Sequence, residues 1–155
     1  MIGSIRVDDR VERLITAARD AGRNHEPVLR QQLVDVYVRA AVLGYTSDRV
    51  LGALRTGGAI GPEASVMKLA LSTLFGRLGE LAETVLGAEG LLSGAHDDEA
   101  YGVLQDSFLS QWSVRIGGGT EQIQRNVIGE LALGLPREPN PESKTASGGD
   151  NKEGR

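Results

Sequence analysis

Three consecutive glycines, Gly117, Gly118 and Gly119, followed by Thr120, are the residues of this sequence best suited to chemistry with a ligand. Without side chains they let the backbone approach a bound group closely and adopt left-handed conformations at no steric cost. A helix beginning at Thr120 would aim its unpaired first-turn amides, and the positive end of its dipole, at that group, which favours an anion. Thr120 can cap the helix or donate its hydroxyl to a phosphate, and Gln122 offers an amide within the first turn. Two readings follow from these residue types: a contact to a nucleotide or pyrophosphate, or a flexible helix–helix connection capped by threonine. The run is neither a Walker loop nor a dinucleotide-binding fingerprint, because the spacing differs and no strand precedes it.

Other reactive residue types are sparse. There is no cysteine, which excludes disulfides, thiolate catalysis and thiolate metal ligation. His25 and His96 fall in expected loops without a His, Asp or Glu partner at helical spacing, so no metal site is expected. Asp97, Asp98 and Glu99 read as acids capping a helix. Phe108 and Trp112 read as core or subunit-interface residues, and the arginines of the first two helices as partners of Asp and Glu on a solvated face.

The elements that must position the glycine turn are helices. The first is expected over residues 9–21, with Val11, Leu14, Ile15 and Ala18 at helical spacing, Asp8 or Asp9 as cap and a left-handed Gly22 as stop. The second starts at Pro27, a favoured first position, and runs to Arg55 before Gly57-Gly58. At 1.5 Å per residue it is about 45 Å long and needs neighbours of similar length. Its stripe is Leu29, Leu33, Val36, Tyr37, Ala40, Leu43, Val50, Leu51 and Leu54. Val34, Val38 and Val42 form a second row, which predicts burial on more than one face. Gly44 marks either a kink or a close contact.

A third helix is expected over residues 62–86, its buried side running from Val66 through Leu69, Thr73, Leu74, Leu78 and Leu81 to Val85 and Leu86, with Gly87 as stop. Gly76 and Gly79 each cost about 1 kcal/mol against alanine there, which points to close approach of another backbone. Residues 88–98 read as a loop. A fourth helix, residues 98–115, carries Tyr101, Leu104, Phe108, Leu109 and Trp112. After the glycine turn a fifth, residues 120–133, carries Ile123, Val127, Ile128 and Leu131. Residues 138–155 lack periodicity and are too polar to bury a core, which predicts a disordered tail after a domain of residues 1–137. The fold class expected is all-α, a four-helix up-and-down bundle.

At 155 residues the chain is long enough for one domain with a substantial core. A net charge of −4 gives no electrostatic reason to expect nucleic acid or an anionic membrane as partner. No apolar run has the length of a transmembrane segment or the form of a signal peptide, and a cytoplasmic setting is expected.

Residues 116–137, IGGGTEQIQRNVIGELALGLPR, resemble the closing motif of the acyl-CoA dehydrogenases. The stretch GPEAS at residues 61–65 with Lys68, and RDAGR at 19–23 ahead of PVLRQ at 27–31, resemble the same family in order and spacing. The similarity runs from about residue 10 to 137. It implies the C-terminal helical bundle of that family, without the helical and β-domains that normally precede it.

In such enzymes a carboxylate removes the α-proton of an acyl-CoA thioester while FAD takes a hydride from the β-carbon. The resemblance assigns Gly119, Thr120 and Gln122 to the nucleotide part of FAD. Gly118 stands where many members carry the catalytic glutamate, so no catalytic residue is assigned here. Glu121 lies next to the turn but is rotated away by about 100° per residue. Thr84 falls where the family has a glutamine that contacts the partner subunit's FAD, and Ala18 where it has a flavin-contacting arginine. Homo- or hetero-oligomers with acyl-CoA dehydrogenase subunits are expected, with acyl-CoA bound and dehydrogenated only in a complete assembly. A non-catalytic helical partner is the alternative.

Overall fold

The computed structural model describes residues 7–91 and 99–137, and every regular element among them is helical. They are α1 (Val7–Asp20), α2 (Pro27–Arg55), α3 (Glu63–Leu86), α4 (Glu99–Ile116) and α5 (Glu121–Val127). A 3-10 turn, Gly87–Leu91, follows α3, and a π-helical turn, Ile128–Ala132, follows α5. The expected tail at 138–155, and His96, Asp97 and Asp98 of the expected loop, lie outside the described residues. No described helix is long and apolar enough to cross a membrane.

Helix boundaries follow local chemistry. Pro27 opens α2, whose preceding residue Glu26 is extended, as its fixed φ and missing N–H allow. Gly22 ends α1 with φ +66°, and the amide of Arg23 closes back on the Ala18 carbonyl at 2.9 Å. Gly57 and Gly87, at φ +85° and +58°, follow the ends of α2 and α3. Asp9 lies inside α1 rather than at its start, and its carboxylate accepts from Arg13 Nε one turn on.

The core joins α1 to α4. Val11, Leu14 and Ala18 meet Leu29, Leu33, Val36 and Ala40 of α2, Leu74, Leu78, Leu81 and Ala82 of α3, and Leu104 of α4. Arg23 donates to the Thr84 carbonyl and Arg77 pairs with Asp35, so α2 and α3 run antiparallel. Lys68 meets Val114 while Gly79 meets Ser107, which makes α3 and α4 antiparallel too. This is the sequential order of an up-and-down bundle.

Three expectations are corrected. Tyr37, Val34, Val38 and Val42 are about half exposed, because among the described residues α1 and α3 are the helices that pack extensively on α2, so α2 buries one face and not two. Gly44 marks no close contact and interrupts nothing. On α4 the buried positions after Leu104 are Ser107 and Gln111, whereas Leu109 and Trp112 point outward. The cause lies across the interface. A Cβ on Gly79 would stand 3.0 Å from the Ser107 carbonyl oxygen, so the backbones approach too closely for large apolar side chains to interleave. The close approach inferred from the glycines is found at Gly79, where it selects serine and glutamine opposite, but not at Gly76, whose nearest neighbours are side-chain atoms 3.8 Å away.

Candidate functional site

The turn from α4 to α5 is built by its glycines and two side chains that clamp them. Gly118 and Gly119 have φ of +72° and +100°, conformations that L-residues rarely adopt. Gln124 reaches back from α5 and donates from Nε2 to the Gly118 carbonyl at 2.8 Å. A Cβ on Gly119 would lie 2.7 Å from that same Nε2, so glycine is required there by both φ and space. Thr120 caps α5, its Oγ1 accepting from the Ile123 amide at 3.4 Å.

Lys68 lies beneath the turn. Its ammonium donates to the Val114 carbonyl at 2.7 Å and to Ser72 Oγ at 2.6 Å. Burial lowers its pKa from the ordinary lysine value, and the charge of Glu121 opposes that shift. Glu121 pairs with Arg115 at 3.3 Å and lies 3.9 Å from Arg125. The Arg115 guanidinium also stacks over Trp112, 5.0 Å from the ring centroid. Lys68 thus lies under Gly118, and Arg115 and Arg125 flank Glu121, the one carboxylate among them, which is already ion-paired.

Gly118, Gly119, Thr120 and Gln122 come together as one outward-facing strip, with Gln122 exposed and Gly119 and Thr120 half-buried. Among the described residues, the amides of Gly118 and Thr120 have no backbone acceptor, while the turn at Gly117–Gly118 brings the Gly119 amide back towards the end of α4. Ala18 is fully buried in the core, and Thr84 lies far along α3 from the turn, so neither joins it. Among the described residues no three His, Asp or Glu side chains gather as a metal site.

The α5 stripe requires a fourth correction. Ile123 and Leu131 are 53% and 67% exposed, whereas Gln124 is 7% exposed. The side chain that closes the turn takes the inward position. The ladder then widens, with the Leu133 amide bonding to the Ile128 carbonyl five residues back at 3.2 Å, a π turn of the kind found where a helix is locally strained. Gln124 and Arg115 were not singled out from the sequence. A polar residue four places after a helix cap, in an otherwise apolar row, is the signal that would have found Gln124.

A glutamate at 118 would meet two obstacles. Its left-handed backbone costs about 1–2 kcal/mol in an L-residue, and its Cβ would lie 3.5 Å from Lys68 Cε, where an ion pair would weaken the carboxylate as a base. Gly118→Glu is accordingly expected to lower the urea midpoint, and Gly118→Asn, which tolerates the left-handed region, to lower it less.

A family model described as the acyl-CoA dehydrogenase C-terminal domain matches residues 6–133. This chain belongs to the acyl-CoA dehydrogenase family. Acyl-CoA dehydrogenase IpdE1 of Mycolicibacterium smegmatis is 31% identical over 126 residues, covering 81% of this chain and 30% of that protein. Its counterpart of the same name from Mycobacterium tuberculosis is 32% identical over 127 residues, 81% of this chain and 31% of that one. The chain thus spans less than a third of the length of the curated relatives it matches. A solved structure described as Tcur3481-Tcur3483 steroid ACAD shares the fold with a TM-score of 0.72 at 24% identity, covering 86% of this chain and 35% of the other.

Proposed function

We propose that this chain acts as the C-terminal helical domain of a FAD-dependent acyl-CoA dehydrogenase, with Gly119, Thr120 and Gln122 against the nucleotide part of the cofactor. The observation that carries the reading is the left-handed Gly118–Gly119 pair. The Gly118 amide has no backbone acceptor among the described residues, Lys68 lies beneath the pair, and Arg115 and Arg125 meet at Glu121 beside it. Unbonded amides on a glycine turn with basic side chains nearby suit a diphosphate, so the residues present fit this part of FAD.

The chemistry that bound flavin supplies is acceptance of a hydride from the β-carbon of an acyl-CoA thioester. This chain's residues would bind and orient the nucleotide end. At the turn they offer no unpaired carboxylate, because position 118 is glycine and Glu121 is held by Arg115. The base, and the walls that exclude water from the thioester, would come from other parts of the assembly. A non-catalytic helical partner of another acyl-CoA dehydrogenase subunit is the second reading. It is favoured by the exposed apolar rows of α2 (Val34, Val38, Val42) and α4 (Leu109, Trp112, Ile116). The paired designation of the solved steroid ACAD fits the same reading.

Flavin content tests the proposal. The isolated 155-residue chain is expected to purify colourless, to leave FAD fluorescence unchanged and to dehydrogenate no acyl-CoA. Co-expressed with an acyl-CoA dehydrogenase subunit that carries a β-domain, it is expected to co-elute with bound flavin, and Gly119→Val to lower the flavin-to-protein ratio. Stoichiometric flavin on the chain alone would overturn the division of labour, and an assembly indifferent to Gly119→Val would remove the turn from the site.

A further inference from the structure

Lys68 is the only lysine between residues 7 and 137, where every other basic side chain except His25 and His96 is arginine. It is half-buried and, among the described residues, forms no ion pair with an acid on its own helix. Its ammonium instead crosses to α4 and donates to the carbonyl of Val114, forty-six residues away in sequence. That carbonyl lies in the last turn of α4, where the helix leaves acceptors without amide partners and its dipole favours a cation. Ser72, one turn along α3 and 1% exposed, holds the other side of the ammonium and itself lies 3.4 Å from the same carbonyl. Lys68 and Ser72 together form a C-terminal cap for α4 supplied by a different helix.

The cap also bears on the turn. Past Val114 the chain reaches Gly118, whose missing Cβ would stand 3.5 Å from Lys68 Cε. The lysine stem is thus a floor under the left-handed glycine, while Gln124 holds the Gly118 carbonyl from the other side. A compact ammonium on an unbranched stem suits both tasks at once, whereas the planar fork of arginine would need more room.

We propose that Lys68 is a positioning residue that fixes the glycine turn in its ligand-ready form by capping α4 at Val114 from α3. The link to a ligand rests on the nucleotide reading given above; the link to the turn does not.

Amide hydrogen exchange on the isolated chain separates the two. In Lys68→Met, which keeps the stem and removes the donor, exchange at the bonded amides of residues 114–117, 123 and 124 is expected to rise about tenfold, the scale of one charge-assisted hydrogen bond. Exchange at Leu33, Val36 and Ala40 should stay within about twofold, since that part of the α2 core does not depend on the bond. Lys68→Arg, which keeps donor and charge but brings a wider head group, should recover only part of the protection. Ser72→Ala is the milder companion, expected to change the same segment in the same direction should Lys68→Met not fold. Unchanged exchange at those bonded amides, or a parallel rise in every helix, would overturn the proposal. The measurement needs no flavin, so its failure is distinct from failure of the nucleotide reading, which shows only as flavin content that ignores Gly119→Val in the assembly.

Discussion

Gly79→Val is expected to destabilise the domain by about 3 kcal/mol, whereas Gly76→Ala, three residues earlier on the same helix, should stabilise it by up to about 1 kcal/mol. At Gly79 an added Cβ would lie 2.8 Å from Gln111 Nε2 and 3.0 Å from the backbone oxygen of Ser107. The glutamine could move in an open site, but it is 1% exposed and its Nε2 already donates to the Phe108 carbonyl at 3.0 Å. Displacing it breaks a buried hydrogen bond, and the Ser107 oxygen cannot yield without α4 itself shifting. The two methyls of valine add to that clash. At Gly76 the nearest atoms to an added Cβ are 3.8 Å away, ordinary van der Waals contact. There alanine gains helix propensity without penalty. Urea unfolding followed by circular dichroism reads both signs, and two glycines that behave alike would show that α3 and α4 are not in close contact at Gly79.

The same pair explains how far the sequence could be read. Pro27, Gly22, Gly57 and Gly87 act through their own φ and their own hydrogen bonds, so the helix boundaries they set are visible locally. Which face a helix buries is not a local property. Periodicity marks Leu109 and Trp112 as the apolar residues at helical spacing on α4 and leaves Trp112 open to either the core or a subunit interface. The fold places Ser107 and Gln111 inward because α3 presents glycine opposite them. Along α2 the row Val34, Val38, Val42 has the composition of a buried face, but no described element covers it.

The site divides the same way. The left-handed glycines and the Thr120 cap follow from residue type within four positions. The clamp of Gln124 on Gly118 requires knowing that α5 turns back on its own start. Contact between Lys68 and Val114 depends on the antiparallel packing of two helices and leaves no mark in local spacing.

Leu14→Ala is expected to cost about 3 kcal/mol and to lower the melting temperature by about 10 °C. Leu14 is 0% exposed and belongs to the cluster that joins α1 to Leu33, Leu78 and Leu104 on three other helices. Truncation there removes buried apolar surface and leaves a cavity bounded by all four, so no single side chain can relax to fill it. Arg10 does not offset the loss: its bonds to Ser107 and Asp106 tie α1 to α4 but bury no apolar surface of their own. Val38→Thr gives the comparison. Val38 is 50% exposed, and a polar replacement on a solvated face should change stability by less than about 0.5 kcal/mol. A large loss at Val38 would mean that the α2 row is already covered in solution by another copy of the chain, and the melting temperature of that variant would then depend on protein concentration. A small loss at Leu14 would instead mean that α1 is not docked, since a helix that contributes its most buried leucine to the core cannot lose it cheaply.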